Sequence, residues 1–280
     1  MPARATRAGL RPASARPGAA DEFATRLRAL GVTPQRQDAW LMVGAPTRVA
    51  GWKLHVSATV AGVEQLFERV LPCLARHDAH FKIAAERNAI VQLNAGDLGE
   101  AQIGKVITVY PRDDTEAVTL ARELIERTRG IVGPSIATDL HLGEAVYSRY
   151  GSVCPRVTRD RFGEPTDLIP DGNGNWMPDL RPVPFTCPPG IAIPFPTVAA
   201  HASAQARPRK LLAGRYFVTD VLRPGLAGSV LRAIDVADLS APTACVLKQA
   251  RPHCLADELG RDRRARLRHE GAVLARLAGL

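Results

Sequence analysis

Basic side chains and one histidine recur in the N-terminal half of the chain in a pattern that could handle a phosphate group. Lys53 and His55 are two residues apart in a stretch that alternates with the period of a β-strand, so they share one face. Lys82, Lys105 and Arg149 lie on three further segments. Lysine and arginine supply counter-charge to a phosphate dianion, and histidine exchanges a proton near neutral pH. The pattern predicts a phosphate site, with no acidic partner expected nearby.

The scarcity of lysine supports this hypothesis. Only five of the 37 Lys and Arg residues are Lys. Arginine keeps its proton in proteins, whereas a lysine can lose its proton when burial and neighbouring cations lower its pKa. A chemical requirement is therefore a reasonable expectation where this arginine-preferring chain keeps lysine. The alternative is a strand with one exposed histidine and separate surface lysines.

Tyr110 is a further candidate for the same site. It lies five residues after Lys105, so in one regular strand the two side chains would point to opposite faces. A bulge or the end of a strand would be needed to bring them together.

The surrounding elements alternate between the two types of secondary structure. Hydrophobic periodicity predicts helices over residues 21–31, 62–77, 86–94 and 114–129. It predicts strands over residues 52–58, 81–83, 103–110 and 145–150. Pro72 predicts a kink or an early end of the second helix. Several connections are too short for a strict βαβ repeat, which favours an α+β fold.

Composition divides the chain into four parts. They are a disordered leader (residues 1–20), a first domain (residues 21–151), a connector (residues 152–209) and a C-terminal unit (residues 210–280). The connector holds half of the 22 prolines, so few ladder hydrogen bonds are expected there. Its aromatic residues Trp176, Phe185 and Phe195 are expected to pack against a neighbour. The C-terminal unit is predicted to hold three strands and a long basic helix, over residues 215–222, 229–234, 244–248 and 261–278.

Several classes of protein are excluded by composition. No segment has the ~20 apolar residues that cross a bilayer. The five cysteines are scattered and form no CxxC pair, which argues against a disulfide scaffold or a structural zinc site and favours a cytoplasmic protein. His77 and His80 have a spacing that a metal tolerates, but no third ligand, so no metal is expected. The arginine run over residues 261–268 is interpreted as a solvated helix face, and no nucleic-acid partner is expected.

Four sequence motifs resemble a known family. They read GWKLHVSAT, HFKIAAERNAIVQLNAG, GKVITVYP and VYSRYG, and occupy residues 51–59, 80–96, 104–111 and 146–151. They arrive in the order found in the N-terminal lyase domain of class III lanthipeptide synthetases, which is related to bacterial phosphothreonine lyases. The resemblance covers roughly residues 40–151 and implies a phosphothreonine-lyase-like domain. It also implies elimination of phosphate from phosphoserine or phosphothreonine of a precursor peptide, leaving dehydroalanine or dehydrobutyrine.

The resemblance also implies a role for each candidate residue. Lys82 would remove the α-proton, and His55 would protonate the departing phosphate. Phosphate-binding roles would fall to Lys53, Lys105, Arg149 and Tyr110. The chemistry needs an acid, a base and positive charge near the developing enolate, and it needs no cofactor.

The C-terminal unit resembles the start of a protein kinase. Gly225 and Gly228 would belong to a glycine-rich loop, and Lys248 would contact nucleotide phosphates and pair with Glu270. The two glycines are three residues apart, which departs from the GxGxxG spacing. The sequence has neither an HRD loop nor a DFG segment, so phosphotransfer by this chain alone is not expected. ATP and magnesium would bind only if the missing kinase portion were present.

Two other functions stay open. The same cationic face could belong to a non-catalytic module that binds a phosphopeptide or a leader peptide. A kinase-like nucleotide-binding protein is the third hypothesis. The chain is expected to be a fragment or a natural truncation, with the remaining kinase and cyclase domains as possible partners. Apolar surface is expected around Leu274 and Leu277.

Overall fold

A computed structural model describes residues 22–46, 48–160, 162–196, 211–257 and 259–278. The leader predicted over residues 1–20 and the end of the connector lie outside the described residues.

A seven-stranded sheet organises the first domain. Its strands are β1 (Gln35–Gln37), β2 (Trp40–Val43), β3 (Ala50–Val56), β4 (His80–Ala84), β5 (Ile107–Tyr110), β6 (Leu140–Gly143) and β7 (Val146–Ser152). The order across the sheet is β1-β2-β4-β5-β3-β7-β6, and every neighbouring pair is antiparallel. Strands β1, β2 and β6 were not predicted, because they are short and lack a full alternating pattern.

Four helices accompany the sheet, namely α1 (Glu22–Ala29), α2 (Val63–Arg76), α3 (Arg87–Ala95) and α4 (Asp114–Arg127). Helix α4 begins where the Asp113 carboxylate accepts the Glu116 N–H at 2.8 Å, which satisfies one free amide of the first turn. Helix α2 runs through Pro72 to Arg76, so an early end at this proline is wrong. Burial of Leu71 and Leu74 on either side of Pro72 stabilises the continuous helix.

The core lies between the sheet and these helices. Helix α4 packs against β3, β6 and β7, and α2 packs against α4. Leu54 and Val56 of β3 are fully buried in the same cluster as Leu120 and Leu124 of α4. Because side chains alternate along a strand, Lys53 and His55 point to the other face of β3. The combination of an antiparallel sheet with separate helices confirms the predicted α+β fold class.

The connector is more ordered than its prolines suggested. It forms a three-stranded antiparallel sheet of β8 (Arg156–Arg159), β9 (Pro165–Pro170) and β10 (Trp176–Pro178). The expectation of few ladder hydrogen bonds is therefore wrong for this part. Prolines are tolerated because Pro165, Pro170 and Pro178 stand at strand ends, where a missing N–H costs little.

Aromatic contacts attach the connector to the first domain. The rings of Phe185 and Phe195 lie 6.0 and 5.5 Å from the ring of Trp52, which is buried on β3. Trp176 stays 43% exposed, and the Arg156 guanidinium stacks 4.6 Å from its ring. Two of the three connector aromatics therefore pack as expected.

The C-terminal unit contains β11 (Tyr216–Arg223), β12 (Val230–Asp235), β13 (Thr243–Lys248) and α5 (Arg263–Leu277). The three strands form an antiparallel sheet in sequence order. The unit contacts the first domain where Ala227 and Cys254 pack on Ile103. Helix α5 buries none of its residues, and Leu274 and Leu277 are exposed as expected.

Over the described ranges, no helix combines the length and apolarity that a membrane span requires. All five cysteines are free thiols.

Candidate active site

Strand register brings the predicted site residues to one face of the sheet. Lys53 of β3 lies directly opposite Arg149 of β7. His55 of β3 lies opposite Thr108 of β5, and Lys82 of β4 flanks Thr108 on its other side. Residues opposite each other in an antiparallel sheet share a face. His55, Thr108 and Lys82 therefore form one row across three adjacent strands.

Lys105 reaches this face from outside its strand. Strand β5 begins at Ile107, and Gly104 before the lysine adopts a left-handed φ of 82°. The Lys105 ammonium lies 3.3 Å from the carboxylate of Asp139 and from the hydroxyl of Thr138. Lys105 thus lies before the start of β5, so its side chain does not follow the alternation of that strand.

Two buried carboxylates neutralise part of the cationic face. Asp139 contacts Nδ1 of His55 as well as the Lys105 ammonium, and its side chain is fully buried. Asp179 of the connector contacts Arg149 and accepts the Ser152 N–H at 3.1 Å. The expectation of no nearby acidic partner is therefore wrong. The three buried cations Lys53, Lys105 and Arg149 need counter-charge in a low-dielectric environment, and distant parts of the chain supply it.

Lys53 is held by the backbone. Its ammonium donates a hydrogen bond to the carbonyl oxygen of Ser152 at 2.7 Å. Ser152 also donates its N–H to Asp179, which in turn contacts Arg149. Lys53 and the Arg149–Asp179 pair are therefore both attached to Ser152. Lys53 and Arg149, which pair across β3 and β7, are thereby both held by contacts near the last residue of β7.

Burial makes the three lysines unusually acidic. The pKa of Lys53 falls to about 7, mainly because burial removes water from the ammonium and then because Arg149 lies close. The pKa of Lys105 falls to about 8, mainly through burial. The pKa of Lys82 falls to about 8 through burial, followed by the charges of Lys105 and Arg181. A fraction of each lysine is therefore a free amine near neutral pH.

Lys82 differs from the other two lysines in its contacts. Within the described residues it has no carboxylate or hydrogen-bonding partner, and its ammonium lies 3.8 Å from the centre of the Trp40 ring. A lysine without a counter-ion and with a lowered pKa is free to accept a proton.

His55 is neutral in this state. Burial lowers its pKa to about 3, although the neighbouring Asp139 acts to raise it. Burial also acts against the charged form of Asp139, but the interactions with His55 and Lys105 hold its pKa below the usual range. The neutral imidazole then donates Nδ1–H to Asp139, which leaves Nε2 with its lone pair.

Tyr110 lies on the same face, at the end of β5. It lies opposite His80 and so on the face of Lys82, two residues beyond Thr108. Burial raises its pKa to about 12, with a further contribution from Cys154. In the described part of the chain, no hydrogen bond joins its hydroxyl to the site cations. All six predicted site residues thus lie on this face of the sheet or reach it.

Buried polar atoms without a partner mark the same place. Among the described residues five buried side-chain atoms lack a hydrogen-bond partner, and three of them belong to residues named above, namely Thr108 Oγ1, Arg149 Nε and Ser152 Oγ; the other two are Trp52 Nε1 and Asn94 Oδ1. A buried donor or acceptor without a hydrogen bond costs about 1–3 kcal/mol, so such atoms cluster where a ligand or water completes them. Sequence analysis missed Thr108, Asp139 and Asp179. For the two carboxylates, the signal in the sequence was that a buried cationic face needs counter-charge.

Outside this site, Cys73, His77 and Glu123 place three ligand atoms within 4.8 Å of one another. Sequence spacing suggested His77 with His80 and missed Glu123, which is 46 residues from His77 in the chain. The Glu123 carboxylate is already bound by His77 at 2.8 Å and by Arg76 and Arg127. Two arginines on one carboxylate explain the group as an ion-pair network.

The four residues of the kinase-like motif lie in the C-terminal unit. Lys248 at the end of β13 contacts the carboxylate of Glu270 in α5. Gly225 and Gly228 form the turn between β11 and β12, where the Gly228 N–H donates to the Gly225 carbonyl at 3.2 Å. A Cβ at Gly228 would lie 2.1 Å from the backbone oxygen of Gln249, so only glycine fits there.

Known proteins resemble this chain over most of its length. The family model "RamC, N-terminal domain" matches residues 20–207. A probable SapB synthase of Streptomyces coelicolor is 34% identical over 232 residues, which is 82% of this chain and 24% of that protein. This chain thus spans about a quarter of that relative's length. A solved structure of a phosphothreonine lyase aligns with 47% of this chain and with 72% of the lyase chain, at 16% sequence identity. Its TM-score of 0.36 is too low to carry an argument.

The family match includes the seven-stranded sheet, all candidate residues on its cationic face and the connector that supplies Asp179. It confirms at the family level the resemblance to the N-terminal domain of class III lanthipeptide synthetases. The chain belongs to the family of RamC N-terminal domains.

Proposed function

We propose that the cationic face is the active site of a lyase that eliminates phosphate from phosphoserine or phosphothreonine in a precursor peptide. The observation that carries the proposal is the row formed by Lys82, Thr108 and His55 on adjacent strands. Lys82 combines a pKa of about 8 with the lack, within the described residues, of a carboxylate partner. It is therefore suited to act as a base beside a site rich in positive charge.

The proposed reaction is a β-elimination of phosphate from the side chain. The neutral amine of Lys82 takes the α-proton, and the electron pair of that C–H bond forms the Cα=Cβ bond. The bond between Cβ and the phosphate oxygen breaks with its electrons on oxygen. Lys53, Lys105 and Arg149 stabilise the negative charge that develops. The products are a dehydroamino acid and inorganic phosphate.

His55 supplies the proton to the departing oxygen. The imidazole is neutral at rest, so it must first take up a proton from the solvent when the substrate binds. A bound phosphate dianion beside the ring favours the charged imidazolium and raises its pKa. Asp139 holds Nδ1 and stabilises the imidazolium, so Nε2 faces the substrate. Asp139 is accordingly a positioning residue.

Mass spectrometry of a phosphoserine peptide incubated with the protein, without ATP or added metal, tests this function. Loss of phosphoric acid with formation of a thiol-reactive dehydroalanine is expected. Recovery of unmodified serine would identify a phosphatase and overturn the proposed chemistry. A competing phosphate titration distinguishes inactive binding from no binding.

The low pKa of His55 favours a second candidate, a phosphopeptide-binding module. A cationic face without a proton donor retains phosphate affinity but cannot release phosphate at a useful rate. Binding of the phosphopeptide with no elimination at any pH between 5 and 9 would select this module.

The C-terminal unit is proposed to be part of a protein-kinase N-lobe. The contact of Lys248 with Glu270 and the glycine turn between β11 and β12 support this assignment. This assignment divides the chain into a lyase domain (residues 21–151), a connector (residues 152–209) and a partial kinase lobe (residues 210–280). Binding of a fluorescent ATP analogue that Lys248→Ala weakens would support the assignment, and equal binding by both proteins would refute it.

A further inference from the structure

A cavity of about 250 Å³ lies next to the cationic face. Most of its wall is apolar and comes from the connector, in particular Met177 and Phe185. Two arginines line it as well, Arg149 from β7 and Arg181 from the connector. The cavity therefore links the buried end of the site to a connector residue that sequence analysis did not single out.

The connector is anchored next to Arg181. Asp179, two residues earlier, contacts the guanidinium of Arg149 and the N–H of Ser152. Arg181 itself has a left-handed φ of 49°. This conformation is unfavourable for residues other than glycine, and it persists where the surrounding structure determines it, often at functional sites. The anchor at Asp179 thus fixes where Arg181 enters the cavity.

Arg181 has unused hydrogen-bonding capacity. A guanidinium carries five N–H donors. Within the described residues, its one ion pair is with Asp167 at 3.6 Å. Its side chain is 33% exposed, whereas Lys53, Lys105 and Arg149 are buried. Arg181 is therefore the cation that a ligand meets from the solvent side.

The charge of Arg181 acts on the lysines of the site. It contributes to the lowered pKa of Lys53, Lys82 and Lys105. Arg149 is bound by the buried carboxylate of Asp179, whereas the partner of Arg181, Asp167, is more distant and partly exposed. A phosphate dianion entering between Arg181 and the lysines would relieve the repulsion among these cations.

Building on the lyase function proposed above, we propose that Arg181 is a further phosphate-binding residue, which contacts the phosphoryl group of the substrate from the solvent side. Lys53 of β3 and Lys105, which precedes β5, hold the same group from the side of the sheet. A guanidinium binds two phosphate oxygens at once, which adds orientation as well as affinity. The connector is then part of the active site.

Inorganic phosphate is the probe that tests this role without turnover. Its affinity is measured by isothermal titration calorimetry at constant ionic strength for the parent, Arg181→Gln, Arg181→Lys and Arg159→Ala. Arg159 is a matched control, since it is an exposed connector arginine that donates to the Gly163 carbonyl at 2.7 Å. Arg181→Gln is expected to weaken binding about tenfold or more, Arg181→Lys to restore part of it, and Arg159→Ala to match the parent.

A second readout separates charge from mere structure. The charges that act on Lys82 are those of Lys105 and Arg181. Loss of the Arg181 charge raises the pKa of Lys82, so the rise of the elimination rate with pH moves to higher pH in Arg181→Gln and returns in Arg181→Lys. A purely structural role of Arg181 would lower the rate without moving this profile.

The outcomes for Arg181 and for the lyase function are distinguishable. Equal phosphate affinity of the parent and Arg181→Gln, with both folded by circular dichroism, overturns the role of Arg181 whether or not elimination occurs. A parent that does not bind phosphate overturns it too. Weakened phosphate binding in Arg181→Gln, with no elimination by the parent, supports Arg181 as a binding residue and rejects the lyase.

Discussion

Two lysine–carboxylate pairs, one in each half of the molecule, have opposite surroundings. The side chains of Lys105 and Asp139 are 4% and 0% exposed, whereas those of Lys248 and Glu270 are 57% and 44% exposed. In the buried pair, desolvation lowers the pKa of Lys105, and the neighbouring charges of Asp139, Arg149 and Arg181 also act on that pKa. Water and salt screen the exposed pair. A lysine–carboxylate pair therefore has a perturbed lysine pKa where it is buried and remains an ordinary ion pair where it is exposed.

The difference follows from how each region builds its core. Every residue of β3 is buried, because helices cover one face and the connector closes part of the other. In the C-terminal unit, α5 buries none of its residues, and Val221, Val246 and Leu274 are at least half exposed. Covered strands thus create the low-dielectric setting that changes a pKa, and exposed strands do not.

The largest expected effect is on catalysis. Lys82→Ala removes the proposed base, so elimination is expected to fall about 10²–10⁴-fold. Lys248→Ala, in the exposed region, is expected to leave ATP-independent elimination unchanged. Rates are measured by mass spectrometry of a phosphoserine peptide. Lys82→Arg is the matched control, which keeps the charge and phosphate affinity but loses the base. Wild-type rates in Lys82→Ala would remove Lys82 from the mechanism.

The next largest effect is on stability. Asp139→Asn leaves Lys105 buried without a counter-charge, so the free energy of unfolding at pH 6 is expected to fall by about 3 kcal/mol. Urea denaturation followed by circular dichroism gives this value. Elimination is expected to slow as well, because the imidazole of His55 loses its acceptor. A change below ~1 kcal/mol would mean that the pair is solvated in solution.

The pH dependence of stability tests the burial of Lys53. Its pKa is about 7 in the folded chain and near 10.5 when unfolded, so between these values the unfolded state binds more protons. Stability therefore rises with pH through this window, by up to about 1.4 kcal/mol per pH unit for one lysine. Lys53→Met is expected to remove that part of the slope in urea titrations at pH 7, 8, 9 and 10. Lys248→Met is the control, and an unchanged slope in Lys53→Met would contradict the burial of its ammonium.

The smallest effect is expected for the exposed pair. A double-mutant cycle of Lys248→Met and Glu270→Gln is expected to give a coupling energy of about 0–1 kcal/mol. Increasing the salt concentration to 1 M should reduce it further. A coupling above ~2 kcal/mol would show that the two regions do not differ in the way described.

Local sequence patterns predicted much of the fold. Each of the helices expected over residues 21–31, 62–77, 86–94 and 114–129 is present within a few residues of its predicted bounds. Alternation along β3 placed Lys53 and His55 on one face. These predictions succeeded because the amphipathic periods of helices and strands are local properties of the chain.

The charge environment of the site was not predictable in this way. Asp139 follows an irregular segment after α4, Asp179 lies 30 residues beyond Arg149, and no periodic pattern marks either residue. The strands of the connector were also missed, since prolines at strand ends read as breaks. The interpretation of residues 152–209 as a connector rested on a composition change and did not predict that Asp179 contacts Arg149.

The sequence by itself determined which residue types are candidates for the chemistry and which of them share a strand face, because the alternation of a strand and the motifs are local properties of the chain. Only the tertiary structure decided that Asp139 and Asp179 meet those cations, that Lys82 has no such partner among the described residues, and that Arg181 enters the same cavity. Proton affinities depend on burial and on neighbouring charges, and both are set by contacts between segments far apart in the chain.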